Sequence, residues 1–244
     1  MLEPTPSGPA AWFAAALGRG RHPASVFSAA ILGGLVALTA CSVGAGYLLI
    51  SLLGHTPDLA SANRHFDAWL AGHRTPGRTE ASLIGSVVAG GVVLPIVSGL
   101  AAVAFALRRK WRIAAYAVLS LVVESAAYRG TSLLFHEHRP RVHRLEQLPV
   151  NASFPSGHTA ASIAVYGGLV LLLTSRFRSP IVRAVARPAV VGITVWVALS
   201  RMYRGMHYPL DTLGGALLGI GALGMIVFAC RAAGAAEVYR RRIR

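Results

Sequence analysis

Three short pieces of the chain carry side chains suited to phosphoryl transfer: Arg139-Pro140, Phe154-Pro155-Ser156-Gly157-His158, and Ser200-Arg201 followed by His207 and Asp211. A phosphoryl group in transfer spreads negative charge over its equatorial oxygens, so catalysis is largely positioning plus cations and donors aimed at those oxygens. Arg139 and Arg201 each offer a planar guanidinium fork that can hold two oxygens. Pro155 ahead of Ser156-Gly157-His158, with an apolar run from Thr159, predicts a loop entering a helix, whose first amides point at an anion. His207 and Asp211 lie four residues apart across Pro209, which stacks a carboxylate beside an imidazole at a helix start. The carboxylate fixes the tautomer and leaves one ring nitrogen nucleophilic toward phosphorus. His158, arriving from another helix, can protonate the leaving oxygen and then activate water against a phosphohistidine. Singly, each piece is more often structural than catalytic; their order, spacing and common face make them a site.

The elements that must position these groups are membrane helices. The chain is 54% hydrophobic and only 14% charged, with a mean hydropathy of +0.55, which excludes an ordinary soluble enzyme. A spanning helix needs roughly 20 mostly apolar residues. Clear runs are Ser25 to Leu53, Ala81 to Leu107, Ile113 to Phe135 and Thr212 to Cys230. Thr159 to Thr174 and Pro188 to Ser200 must recruit flanking residues to span. The expectation is an all-α, polytopic membrane helical bundle with six transmembrane helices. Residues 1–24 are expected to precede it as a cytoplasmic segment, 25–230 to form the six-span domain, and 231–244 to be a basic cytoplasmic tail. The first run lacks a small-residue cleavage site and is read as a retained span. Gly90-Gly91, Gly214-Gly215, Gly219 and Gly221 read as close helix packing.

Basic residues mark every second connection: Arg19 and Arg21; Arg108, Arg109, Lys110 and Arg112; Arg176, Arg178, Arg183 and Arg187; Arg231, Arg240, Arg241, Arg242 and Arg244. The positive-inside rule makes these cytoplasmic, with both termini inside. The formal charge of +15 then reflects topology and anionic-lipid affinity, and no nucleic-acid reading motif accompanies it. The chemistry-bearing pieces all fall on the opposite, outer face of a cell (plasma or inner) membrane. Asp58 to Leu70 predicts an amphipathic helix on that face, with Leu59, Ala62, Phe66, Trp69 and Leu70 opposite Asn63, Arg64 and Asp67. Cys41 and Cys230 read as packing residues. His136, His138 and His143 lack the acidic or cysteine companions of a metal site.

In these motifs the chain closely resembles the type 2 phosphatidic acid phosphatase family, the lipid phosphate phosphatases, which shares its active-site pattern with vanadium haloperoxidases. The family's Pro-Ser-Gly-His motif is intact at Pro155 to His158, and its Ser-Arg, His, Asp motif at Ser200, Arg201, His207 and Asp211. Of the first motif only Arg139-Pro140 remains; the family lysine would fall at Ser132. The resemblance implies a six-helix enzyme that removes phosphate from a lipid with no metal or other cofactor. By it His207 is the nucleophile, Asp211 its orienting partner, His158 the acid and base, and Arg139, Ser156, Gly157 and Arg201 the phosphate cradle. Arg129, one turn before Ser132, either replaces the lysine as a phosphate ligand or is neutralised by Glu124. Substrates would be phosphatidate, phosphatidylglycerol phosphate or a polyprenyl mono- or diphosphate, and the sequence sets neither that choice nor the oligomeric state. A transporter or flippase for anionic lipids, and a catalytically silent membrane scaffold, are the competing classes.

Overall fold

The computed structural model describes residues 7–147, 152–176 and 179–243. Arg178 and Arg244, two of the residues used for topology, lie outside them. Among the described residues every regular element is helical: α1 (Pro9–Ala16), α2 (Pro23–Gly46), α3 (Pro57–Gly72), α4 (Pro76–Val88), α5 (Val93–Leu107), α6 (Trp111–Leu134), α7 (Gly157–Ser162), α8 (Gly168–Arg176), α9 (Pro180–Tyr203) and α10 (Pro209–Ile243). π-helical stretches extend α2 through Tyr47–Gly54 and join α7 to α8 through Ile163–Gly167. Six helices begin on a proline, where the missing N–H has no intrahelical partner to lose and φ is already helical.

Four of the spans have the length and apolar character to cross a membrane: Pro23–Gly54, Gly157–Ser175, Pro180–Tyr203 and Pro209–Ile243. The expected run from Ala81 to Leu107 is two helices, α4 and α5, bent by 43° and counting as a fifth span if taken together. Gly90-Gly91 therefore marks a break and not a packing surface. α6 has 24 residues, about 36 Å of helix, but Glu124 and Arg129 within it lower its hydropathy. The residues expected to form a tail from 231 instead continue α10, whose 35 residues reach about 52 Å. There Ala232, Ala235 and Ala236 pack on Ala10, Ala11 and Ala14 of α1. Arg112 pairs with Glu237 at the same end, tying the basic α5–α6 connection to the far end of α10 from Asp211.

α10 is the central helix, touching α1, α2, α6 and α7. Outward faces are apolar at helical spacing, as in Val191, Val195 and Leu199 of α9 and Ile96, Leu100 and Val103 of α5, all exposed. Such continuous apolar surface is unfavourable in water and matched in lipid. α3 is turned the same way: Trp69 is 56% exposed, whereas Asp67 on its polar face is 2% exposed. A helix with its aromatic side out and its carboxylate in suits a membrane interface.

Candidate active site

Three segments expected on one face meet at one end of the bundle. Leu145 N donates to Arg204 O (3.0 Å) and Ser153 N to Glu137 O (2.8 Å). Arg74 reaches across with Nη1 on His143 O (2.8 Å) and Nη2 on Tyr203 O (2.9 Å). The segments 54–80, 136–147, 152–158 and 201–211 thus form one layer.

α10 positions the loop that opens α7. Ser156 N donates to Asp211 O at 2.9 Å, and a Cβ on Gly215 would strike the Ser156 carbonyl. One turn on, a Cβ on Gly219 would lie 2.5 Å from Ala160 O, so the two glycines let the backbones touch. Gly215 and Gly219, read as packing residues, do pack, and in doing so they set where Ser156 and Gly157 sit. Ser156 is fully buried at the N-cap of α7.

His207 follows Gly205, which takes φ +71° and turns the chain back after α9. Its Nδ1 lies 2.7 Å from Ser153 O and 3.9 Å from Asp211 Oδ2. A carbonyl only accepts, so Nδ1 carries the hydrogen and Nε2 is left with a lone pair. This corrects the expected division of labour, because the Ser153 carbonyl fixes the tautomer. Asp211 contributes charge and is itself held by Ser153 Oγ and by Tyr208 N at 2.8 Å. Burial first, then the Arg201 and Arg139 guanidiniums and His158, push the His207 imidazole well below its ordinary 6.5. A neutral imidazole is the form that can attack phosphorus.

A cavity of about 420 Å³ runs past these groups, lined by Arg129, Arg139, Gly157, His158 and His207, by Glu124 and Tyr128, and by the apolar Leu94, Pro95 and Leu121. Five of the eight predicted site residues therefore share one cavity, with Ser156, Arg201 and Asp211 buried behind it. Arg139 Nη1 donates to Met206 O at 2.6 Å, which fixes the guanidinium beside His207. Arg201, with no exposed surface, donates through Nη1 to Ser86 Oγ and to Glu146 Oε2, the latter at 2.5 Å. Its Nε and Nη2 are buried and have no hydrogen-bond partner among the described residues.

Glu146 also binds Arg204 Nε, so one carboxylate bridges two arginines. Burial pushes that carboxyl up, but the Arg201 charge and hydrogen bond, Ser86 and Arg204 outweigh it and hold it at about 2. Sequence reasoning missed Glu146, Arg204, Ser86 and Ser153. Glu146 had one signal, a lone acid in the stretch after Arg139, Arg141, His143 and Arg144. Arg129 lines the cavity, and among the described residues it makes no ion pair with Glu124, whose Oε2 accepts from Ser125 Oγ at 3.1 Å. Ser132 is buried and is not among the cavity-lining residues.

Several known proteins are similar to part of this chain. The undecaprenyl-diphosphatase of Sulfolobus acidocaldarius is 41% identical over 75 residues, 31% of this chain and 32% of that protein. Undecaprenyl-diphosphatase BcrC of Bacillus subtilis is 33% identical over 101 residues, 40% of this chain and 47% of that one. Human sphingosine-1-phosphate phosphatase 2 is 40% identical over 80 residues, 32% of this chain and 20% of that one. The matches thus span between a fifth and a half of these relatives. In fold, the chain is similar to the crystal structure of a transmembrane PAP2-type phosphatidylglycerolphosphate phosphatase from Bacillus subtilis. The TM-score is 0.62 at 21% identity, over 91% of this chain and 97% of that one. With apolar helices throughout, the chain is a multi-pass membrane protein. The PAP2 superfamily profile matches residues 109–233, and the chain belongs to that superfamily.

Proposed function

We propose that the chain is a lipid phosphate phosphatase that hydrolyses a phosphomonoester or diphosphate of a membrane lipid through a phosphohistidine at His207, without a metal. The observation that carries this is the Ser153 carbonyl on His207 Nδ1, 2.7 Å away, which leaves Nε2 nucleophilic in a cavity walled by Arg139, Arg129 and His158. In the first step Nε2 bonds to phosphorus and the P–O bond to the lipid breaks, with His158 giving the leaving oxygen its proton. In the second, His158 takes a proton from water, whose oxygen bonds to phosphorus as the P–Nε2 bond breaks. Arg139, Arg201, and the Gly157 and His158 amides at the start of α7 hold the equatorial oxygens, with Ser156 at the N-cap position of that helix. Arg129 supplies the cation that Ser132 lacks.

The cavity walls carry cations that suit a phosphate and apolar side chains that suit a hydrocarbon chain, which fits a substrate anchored in lipid. Two of the relatives above are named undecaprenyl-diphosphatases, so a polyprenyl diphosphate is the first substrate to test. Six spans fit the bundle: α2 with its extension, the α4–α5 pair, α6, α7 to α8, α9 and α10. With the basic connections cytoplasmic, both termini lie inside and the site faces out.

Phosphate release from a panel of polyprenyl diphosphate, phosphatidate and phosphatidylglycerol phosphate tests the reading, together with trapping of labelled phosphate on the protein. Release should occur with at least one lipid and vanish in His207→Ala, while His158→Ala accumulates the labelled protein. Full release by His207→Ala, or none by the wild type with any lipid, would overturn it.

A further inference from the structure

A second cavity, about 700 Å³, lies between α3, the end of the α2 extension and the 137–142 loop. Its walls include Arg64, Asp67, Glu137, His138 and Arg141, and it shares Arg139 with the catalytic cavity. The two differ in kind. The catalytic cavity has Leu94, Pro95 and Leu121 in its walls, whereas the second is lined by charges of both signs and by Tyr208.

Hydrolysis leaves orthophosphate beside His207, an anion that must depart. The apolar lining of Leu94, Pro95 and Leu121 suits a lipid chain and bars this ion, because stripping water from an unpaired charge is strongly unfavourable. Arg139 faces both spaces and gives the ion a path on which it never leaves a cation.

Asp67 is an independent sign of a ligand here. It is 2% exposed, and both carboxyl oxygens are buried without a hydrogen-bond partner among the described residues. It lies on the α3 face that walls the cavity. A buried polar group left unbonded is destabilising, and an oxyanion that shares a proton with the carboxyl would satisfy it. Burial first, then the nearby Asp211, raises this carboxyl to about 7, so that proton is available near neutrality.

We propose that the second cavity is a binding site for departing orthophosphate, which passes from Arg139 to Arg141 and Arg64 over Asp67. The source of the ion rests on the phosphatase reading; the site itself does not. The test uses the purified full-length chain in detergent with inorganic phosphate as the probe. Phosphate in the catalytic cradle competes with the lipid and raises KM, whereas phosphate in the second cavity lets the lipid bind and lowers kcat. The wild type should therefore show mixed inhibition. Arg64 and Arg141 are both exposed, so the double variant Arg64→Gln, Arg141→Gln should fold, and its Tm without phosphate checks this. Its noncompetitive inhibition constant should rise by about tenfold or more, on the scale of one or two lost charge-assisted hydrogen bonds, with the competitive constant within about twofold of wild type. Purely competitive inhibition in the wild type, or an unchanged noncompetitive constant, overturns the site. If no lipid is turned over, the phosphatase reading fails, and the site is judged by the rise in Tm that phosphate causes: a rise reduced in the double variant supports it, and equal rises sink it.

Discussion

Asp211→Asn separates two roles that a His-Asp pair can combine. In the structure the carboxylate is 3.9 Å from His207 Nδ1, while the Ser153 carbonyl at 2.7 Å holds the proton there. The substitution keeps size and removes charge, so the carbonyl should keep the tautomer. What is lost is the attraction between the carboxylate and the cationic ring that forms when Nε2 bonds to phosphorus. At that separation and an effective dielectric of about 20, the attraction is about 4 kcal/mol, or a rate loss of about 1,000-fold. Rapid-quench measurement of phosphoenzyme formation gives the rate. Nitrogen NMR of the protein labelled in histidine gives the tautomer in the same variant. A loss below about tenfold would refute the electrostatic role, and a shift of the proton to Nε2 would show that the carboxylate, not the carbonyl, sets the tautomer.

Arg129→Gln should lower kcat/KM by about 100- to 1,000-fold, the cost of one missing anion donor, and leave Tm near wild type; an unstable protein with normal turnover would make Arg129 structural. Gly215→Ala drives a methyl group into the Ser156 carbonyl and should cost about 1–3 kcal/mol in stability with a larger drop in kcat. Gly224→Ala, which meets open space, should change neither, and equal behaviour of the two variants would count against α10 as the support of the loop. Because His207 is held below its ordinary 6.5, the unfolded chain binds more protons than the folded one just below that pH. Its contribution to stability is thus complete above 6.5 and is lost as pH falls, at up to about 1.4 kcal/mol per pH unit. Tm against pH should fall less steeply between 7 and 5 in His207→Gln, and parallel curves would contradict a neutral histidine. Gln147→Cys and Arg108→Cys, each in a background lacking Cys41 and Cys230, should label from opposite sides of intact cells; labelling of both from one side would invert the proposed topology.

The motif residues were legible because chemistry constrains their types and chain direction constrains their order. His158 and His207 share a cavity wall as their motifs imply, and the expected amphipathic helix exists as α3. What escaped was partnership by backbone. The Ser153 carbonyl on His207 is invisible in a side-chain code, since any residue at 153 has that oxygen. Ser86 on Arg201 comes from a helix more than a hundred residues away, and nothing in its neighbourhood announces it. The break at Gly90-Gly91 was hidden because two apolar helices in line read as one run. α6 posed the opposite problem: its length is that of a span, yet Glu124 and Arg129, charges that face the catalytic cavity, make it look less apolar than its neighbours.

On the proposed reading, the placement of the site at helix ends follows from the two natures of a lipid phosphate. A lipid phosphate keeps its chain in hydrocarbon and its charge in water, so the reacting atoms sit where the helices stop. At that depth each helix end carries a partial charge, positive at N-termini and negative at C-termini. Arg201 lies in the last turn of α9 and Asp211 in the first turn of α10, so both ends are balanced by a side chain of opposite sign. The start of α7 is different, because its first turn contains no acid. Its amides, brought against α10 by Gly215 and Gly219, present a positive end that no residue of the helix neutralises. Beside Arg139 and His207, the group that would complete the pattern on the proposed reading is the phosphate of a substrate.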